Sequence, residues 1–206
     1  MTLRVLVGCE ESQTVCQAFL KRGHNAMSLD TKPTRGNPDY HYQVDIIEHL
    51  ESVPDGYYDL IIVHPDCTKL TVAGNKHYGK GKPRHHERIA AAAWTEHLWE
   101  LCKRKGQRVC LENPVSVLSS MTNLPKPVYI HPWEYGHREM KKTALFLHNL
   151  EPLVPTDIVG PPPPLAERAR KEWERLHYMP PGPNRARDRS KTYQGIADAM
   201  ADQWGE

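Results

Sequence analysis

An open α/β fold is what the sequence predicts: a Rossmann-like, mostly parallel sheet with helices on both faces. Three observations carry the expectation. Short apolar, β-rich runs recur, each bounded by glycine or proline. Segments with helical spacing fall between them. Polar and reactive residues gather just after the runs, where sheets of this kind bind ligands.

The first run, "LRVLVG" (Leu3 to Gly8), reads as a buried strand. "ESQTVCQAFLKRGH" comes next, with Ser12 as N-cap, Val15, Ala18, Phe19 and Arg22 at helical spacing, and Gly23 as the stop. "NAMSLD" is a second strand ending on Asp30. Strand, helix and strand together imply a parallel pair with a right-handed crossover. "YYDLIIVHP" is a strong strand, and Arg88 to Lys103 is a helix with Ala90, Trp94, His97, Leu98 and Leu101 on one stripe. "QRVCLENP" is a strand stopped by Pro114; "KPVYIHP" and "KTALFLHNL" are two more. After Glu151 the composition changes. "EPLVPTDIVGPPPP" is extended, "LAERARKEWERLHY" a charged helix, "MPPGPNRARDRSKT" a basic loop, and "YQGIADAMADQW" a last helix with Ile196, Ala197 and Met200 facing inward. Residues 1–150 thus read as the core, and 151–206 as an appendage packed on it within a single domain.

Composition narrows the function. A chain of 206 residues, 39% hydrophobic and 25% charged, has the make-up of a soluble globular protein. No apolar run approaches the roughly 20 residues that span a bilayer. The start, "MTLRVLVGCEES", lacks the pattern of a signal peptide, so the cytoplasm is the expected compartment and no membrane the expected partner. Cys9, Cys16, Cys67, Cys102 and Cys110 form no CxxC pair, which argues against a disulfide framework or a zinc ribbon. His64, Cys67, His77, His85 and His86 match no zinc spacing, and no metal is expected. A net charge of +2 excludes a chain that is basic throughout. Cations are instead concentrated in two stretches: Lys76, Lys80, Lys82, Arg84 and Arg88, then Arg185, Arg187, Arg189 and Lys191. Either could meet a polyanion.

The strand ends supply the candidate site: Gly8, Cys9, Glu10, Glu11 and Ser12; Asp30; Asp45; His64, Pro65, Asp66 and Cys67; Glu112, Asn113 and Pro114. Asp30 is placed to accept hydrogen bonds from a ribose diol. The first turn has no GxGxxG, and Glu10 and Glu11 repel a pyrophosphate, which argues against NAD or ATP. An adenosine cofactor with positive charge and no phosphate remains permitted, and S-adenosylmethionine fits. Cys67 and Glu112 end neighbouring strands, so a thiol able to act as a covalent nucleophile can approach an acid able to move a proton.

At this point the sequence resembles the DNA cytosine-5 methyltransferases, most closely their short bacteriophage members. The family's Pro-Cys catalytic loop, Glu-Asn-Val strand end and basic Gln-x-Arg-x-Arg strand have ordered counterparts in "HPDCTKLTVAG", "LENP" and "GHREMKKTALFL". "RVLVGCEES" and "RSKTYQGIADAMADQW" resemble the two ends of the phage proteins. The resemblance implies that Cys67 attacks C6 of a flipped cytosine, that Glu112 contacts N3 and the exocyclic amine, and that Asn113 steadies the loop or Glu112. It implies that Lys141 and Lys142 contact base or phosphate. Gly8, Cys9, Glu10, Ser12, Asp30, Asp45, His64 and Pro65 would line the S-adenosylmethionine site. DNA is the implied partner, and a bacterial host cytoplasm the place if the chain is phage-encoded. A flipped base needs a loop that opens and closes over it. Gly74, Gly79 and Gly81 are read as its joints, and Lys76, Lys80, Lys82 and Arg84 as its grip on phosphates. Nearby cations are expected to favour the Cys67 thiolate.

Three departures stand out. Asp66 replaces the proline before the nucleophile, loosening the backbone and disfavouring the thiolate. The Phe-x-Gly signature of the first loop is absent. Only about forty residues separate the basic strand from the last helix, where a target-recognition domain of about a hundred or more is usual. An amino methyltransferase, whose Asp/Asn-Pro-Pro-Tyr motif stands where "HPDC" does, and an inert cofactor- or DNA-binding relative are the alternative readings.

Overall fold

The computed structural model describes residues 1–164, 169–180, 182 and 185–206, the side chains of 177 and 186–188 excepted. At the centre of the sheet β1 (Arg4–Gly8) pairs in parallel with β2 (Asn25–Asp30) and β4 (Tyr58–Val63). Outward, β3 (His41–Gln43) lies beside β2, and β5 (Gly106–Pro114) beside β4, both parallel. Beyond β5, β7 (Thr143–His148) runs antiparallel, and β6 (Val128–Ile130) pairs antiparallel with it. The order β3-β2-β1-β4-β5-β7-β6, with β7 alone reversed, is the topology of the Rossmann-like methyltransferase fold.

The central strands are apolar almost throughout because both faces are covered. Val5, Val7, Leu60 and Ile62 pack with α1 (Thr14–Lys21) and α9 (Gln194–Gln203). Leu6, Ile61 and Val63 point the other way, into a core shared with α2 (Ile46–Ser52) and α4 (His85–Lys105). Each aliphatic side chain sealed in this way contributes about 1.5–3 kcal/mol. Because α9 lies in the same core as α1 and β1, the end of the chain completes the layer that shields one face of the sheet.

Several elements differ from the sequence reading. The helix expected from Glu11 starts at Thr14, after Gln13 at φ 57°, and Ser12 is not its N-cap. Gly23 does close it, at φ 82°. The buried face of α4 includes Arg88, Ala92, Thr95, Leu98, Trp99, Leu101 and Cys102, so Leu98 and Leu101 of the expected stripe do face inward, while Ala90, Trp94 and His97 face solvent. Counting apolar residues missed the first half of that face because Arg88 and Thr95 are polar. Neither β3 nor α2 was foreseen. In the C-terminal region the start of the charged helix at Leu165 lies outside the described residues. The rest of that segment forms two single turns, α6 (Arg170–Trp173) and α7 (Arg175–Tyr178). The basic segment, expected as a loop, forms α8 (Arg185–Ser190). Two further short helices, α3 (Asn75–Tyr78) and α5 (Leu118–Met121), lie beyond the ends of β4 and β5. Among the described residues no helix is long and apolar enough to cross a membrane.

Candidate active site

The turn after β1 is built around Glu10, only 4% exposed. Its Oε1 accepts from the Val15 N–H at 2.7 Å and the Ser12 hydroxyl at 3.2 Å, and its Oε2 accepts from the Cys16 N–H at 3.2 Å. Glu10 is thus the carboxylate that satisfies the start of α1, in place of the cap assigned to Ser12. An anion already fills the position where a dinucleotide-binding turn receives a phosphate. Burial pushes the Glu10 carboxyl up, against the pull of His64 and of these hydrogen bonds. Glu11 is paired with Arg35 at 3.0 Å. Gln13, fully buried, donates to Ser28 Oγ and to the carbonyls of Asn37 and Tyr40, and accepts from the Asn37 N–H. It fixes the loop after β2 against the turn after β1.

Cys9 lies at φ 58° beside this turn. Its thiol is pushed up to about 12, first by burial and then by Asp30, Asp45 and Asp66. Three carboxylates that follow three strand ends are therefore within electrostatic reach of one thiol. One oxygen of each is engaged locally: Asp30 by the Lys32 N–H, Asp45 by the Ile47 and Glu48 N–H groups as N-cap of α2, and Asp66 by Thr68. Such an edge favours a ligand that carries positive charge. Gly8 is required by packing, since a Cβ there would collide with Ile46 of α2.

The second half of the site joins β4 to β5. His64 and Glu112 meet at 3.0 Å between Nδ1 and Oε2, with side chains only 11% and 13% exposed. Burial alone would lower the His64 pKa, but Glu112, with Glu10 behind it, carries it above the ordinary value. Burial alone would raise Glu112, but His64 and Lys141 bring it below the ordinary carboxylate range. Both shifts favour the ionic form of the pair. His64 Nε2 is buried without a hydrogen-bond partner among the described residues. Asn113 is fully buried, and its Nδ2 donates to the Pro65 carbonyl at 3.4 Å, two residues before Cys67, while its Oδ1 has no partner among those residues.

Cys67 is half-buried, outside the apolar core, and within electrostatic reach of Glu112. Its thiol is pushed up to about 11, by burial first, then by Glu112 and Asp66, with Lys141 opposing. This corrects the expectation that the adjoining cationic loop favours the thiolate. Lys76, Lys80 and Lys82 are exposed. Arg84 is tied to Glu87 at 2.6 Å and stacked over Tyr78 at 4.7 Å. Lys141 is the lysine at the centre of the site; Lys142 turns away and lies 4.3 Å from the ring of Tyr129. From the C-terminal side, the Lys141 ammonium donates to the Lys191 carbonyl at 3.4 Å, and Arg189 of α8 lies within electrostatic reach of Cys67.

The loop after Cys67 is held by backbone hydrogen bonds. Leu70 and Thr71 N–H groups donate to the Cys67 carbonyl, and Thr71 pairs with Ser116 beyond β5. Asp66 shapes its start by accepting from the Thr68 N–H at 3.0 Å and the Thr68 hydroxyl at 2.6 Å. Of the three glycines read as joints, only Gly81 has positive φ, at 80°. Gly79 is needed because a Cβ would press on the Asn75 carbonyl. Arg88, at 3% exposure, holds the loop onto α4 through Lys69 O, Thr71 O and Asn75 Oδ1. Sequence reasoning placed Arg88 among the solvated cations. Its signal was its spacing, four residues before Ala92 and seven before Thr95 on the buried stripe. Gln13 carried no such signal, because its partners lie 15 to 27 residues away.

The raised thiol has a direct consequence. With a pKa of about 11, only about one Cys67 in a thousand is ionised at pH 8. Alkylation of Cys67 by iodoacetamide, read by peptide mapping, is expected to be slow near neutrality and to speed up about tenfold per pH unit. Asp66→Asn should accelerate it several-fold at fixed pH. A thiol as reactive at pH 7 as a free cysteine would contradict this electrostatic picture.

No family model matches the chain, and no curated protein matches it in sequence. Solved structures similar to it include WbdD, in a co-crystal with the kinase inhibitor LY294002, at 14% identity and a TM-score of 0.43. That match covers 70% of this chain but 36% of that one, so the chain spans about a third of WbdD. They also include the delta-N METTL16 MTase domain, at 10% identity and a TM-score of 0.41, covering 70% of this chain and 71% of that one. At such identities the likeness concerns the fold alone.

Proposed function

We propose that the protein is an S-adenosylmethionine-dependent DNA cytosine-5 methyltransferase, working through a transient covalent bond between Cys67 and the cytosine ring. The supporting observation is the grouping of Cys67, Glu112 and Lys141 at the ends of β4 and β5, beside an acidic edge formed by Asp30, Asp45 and Asp66. That edge suits the donor, since Glu10 blocks the phosphate position and the surrounding carboxylates favour a cation. S-adenosylmethionine, when bound there, supplies the methyl group that C5 takes.

The chain's own residues do the rest. As Cys67 Sγ bonds to C6, the C5=C6 electron pair moves to C5 and N3 takes a proton through Glu112. After methyl transfer, loss of the C5 proton restores the C5=C6 double bond and expels the Cys67 thiolate, and N3 gives its proton back through Glu112. Asn113 holds the backbone just before Cys67, and Lys141 steadies the negative charge of Glu112. Exposed Lys76, Lys80 and Lys82 contact phosphates, with Arg185, Arg189 and Lys191 joining from the C-terminal side. With only about forty residues between the basic strand and the last helix, specificity is relaxed, limited to a very short site, or supplied by another protein.

The protonated thiol favours a second reading, transfer to an exocyclic amine without a covalent bond. Mass spectrometry of nucleosides from DNA of an expressing host separates the two, and 5-methylcytosine is the expected product. N4-methylcytosine or N6-methyladenine, with no covalent trapping by a 5-fluorocytosine duplex, would replace the first reading by the second.

A further inference from the structure

His64 takes no part in the proposed bond-making steps, yet it holds the most committed contact in the site. It comes from the end of β4, three residues before Cys67, and its backbone N–H is anchored on the Gly8 carbonyl at 3.0 Å. Its ring reaches across to β5 and takes one oxygen of Glu112, both side chains almost sealed from water. The other ring nitrogen is buried without a partner among the described residues. The charged groups that face this pair are Glu10 from the β1 turn, Lys141 from the segment before β7, and Cys67 on the loop beyond.

We infer that His64 is a positioning residue for Glu112: its Nδ1–H fixes Oε2, and its positive charge keeps Oε1 unprotonated and turned to the substrate until the thiol proton arrives. The inference rests on the proposed function for its catalytic part and on geometry alone for the ion pair. A buried carboxylate that loses its hydrogen-bonded cation takes up a proton more readily, with Lys141 alone left to oppose this. With His64 in place, Glu112 instead accepts the Cys67 Sγ–H proton as the Sγ–C6 bond forms, and passes that proton to N3. Cys67 loses the proton, the ring gains it, and His64 ends as it began.

The pair sets the sign of the pH dependence. His64 is charged below its raised pKa and neutral above it, while Glu112 is ionised above its lowered pKa. The ionic pair persists between the two values and is lost on the alkaline side when His64 gives up its proton. A neutral His64 can still donate through Nδ1–H, as a glutamine side chain would.

Two measurements test the inference, and they fail separately. The first needs no activity. In the full chain labelled with ¹⁵N-histidine, the His64 ring, assigned by its absence from His64→Gln or His64→Asn, should titrate above its ordinary value. In Glu112→Gln it should fall, because the carboxylate that opposes burial is gone and only Glu10 is left to raise it against burial and Lys141. An unchanged titration overturns the inference. The second is the rate of methyl transfer to cytosine DNA by wild type relative to His64→Gln. The ratio should be about tenfold or more at pH 6, the difference between a charged and a neutral hydrogen bond, and fall towards one above the His64 titration. Division by the variant cancels the ionisation of Cys67. A ratio that does not change with pH overturns the positioning role. Absence of any cytosine methylation by wild type would instead defeat the proposed function, leaving the titration to decide the pair.

Discussion

Cys67→Ala is expected to leave the protein folded and to reduce cytosine methylation by at least about a thousandfold, because the covalent route then has no nucleophile. The fold should tolerate the change, since the loop depends on the Cys67 carbonyl, which accepts from Leu70 and Thr71, and not on the sulfur. The half-exposed thiol is also outside both apolar clusters, so its loss costs about 1 kcal/mol or less. Cys67→Ser tests the same point more sharply. It keeps the size and polarity of the group but offers a hydroxyl that is far harder to ionise. Both variants should retain their far-ultraviolet circular dichroism and melting temperature while 5-methylcytosine disappears from the host DNA. Persistent methylation in Cys67→Ala would exclude the covalent mechanism and leave the amino methyltransferase in its place.

Much of the sheet could be read from the sequence because its strands are short and apolar on both faces. "LRVLVG", "NAMSLD" and "YYDLIIVHP" locate β1, β2 and β4 to within a residue or two. What escaped was held by contacts distant in sequence. β3 has two exposed residues of three and exists because it pairs with β2. Of the polar members of the α4 stripe, Arg88 is buried against acceptors on the Cys67 loop, and Thr95 turns its hydroxyl back to the Ala91 carbonyl. The site was legible as a set of strand ends, and the structure brings Cys67, Glu112, Asn113, His64 and Lys141 together. Its electrostatics were legible only in part: Asp66 was read as disfavouring the thiolate, but sequence proximity also put the cations of the loop beside Cys67, while folding brought Glu112 there and sent most of the cations to solvent.

Arg88 carries the other large effect, on the loop that presents the thiol. Its guanidinium donates to Lys69 O at 2.7 Å, Thr71 O at 3.0 Å and Asn75 Oδ1 at 2.6 Å. Among the described residues no carboxylate pairs with it, so these three acceptors are what offsets its removal from water. Charge-assisted hydrogen bonds contribute about 1.5–3 kcal/mol each, but freed acceptors in a loop near the surface recover part of this from water. Arg88→Met should therefore cost about 2–4 kcal/mol in urea denaturation. Arg88→Lys separates charge from geometry. An ammonium keeps the cation but cannot span three acceptors that a planar fork reaches at once, so lysine should recover little of the loss. Hydrogen exchange gives the local readout: the N–H groups of Leu70, Thr71 and Gly74, bonded within the loop, should lose protection in both variants, while those of β1 and β4 keep it. Wild-type stability and unchanged loop protection in Arg88→Lys would mean that the loop is held by its pairing with Ser116 and Val115 alone.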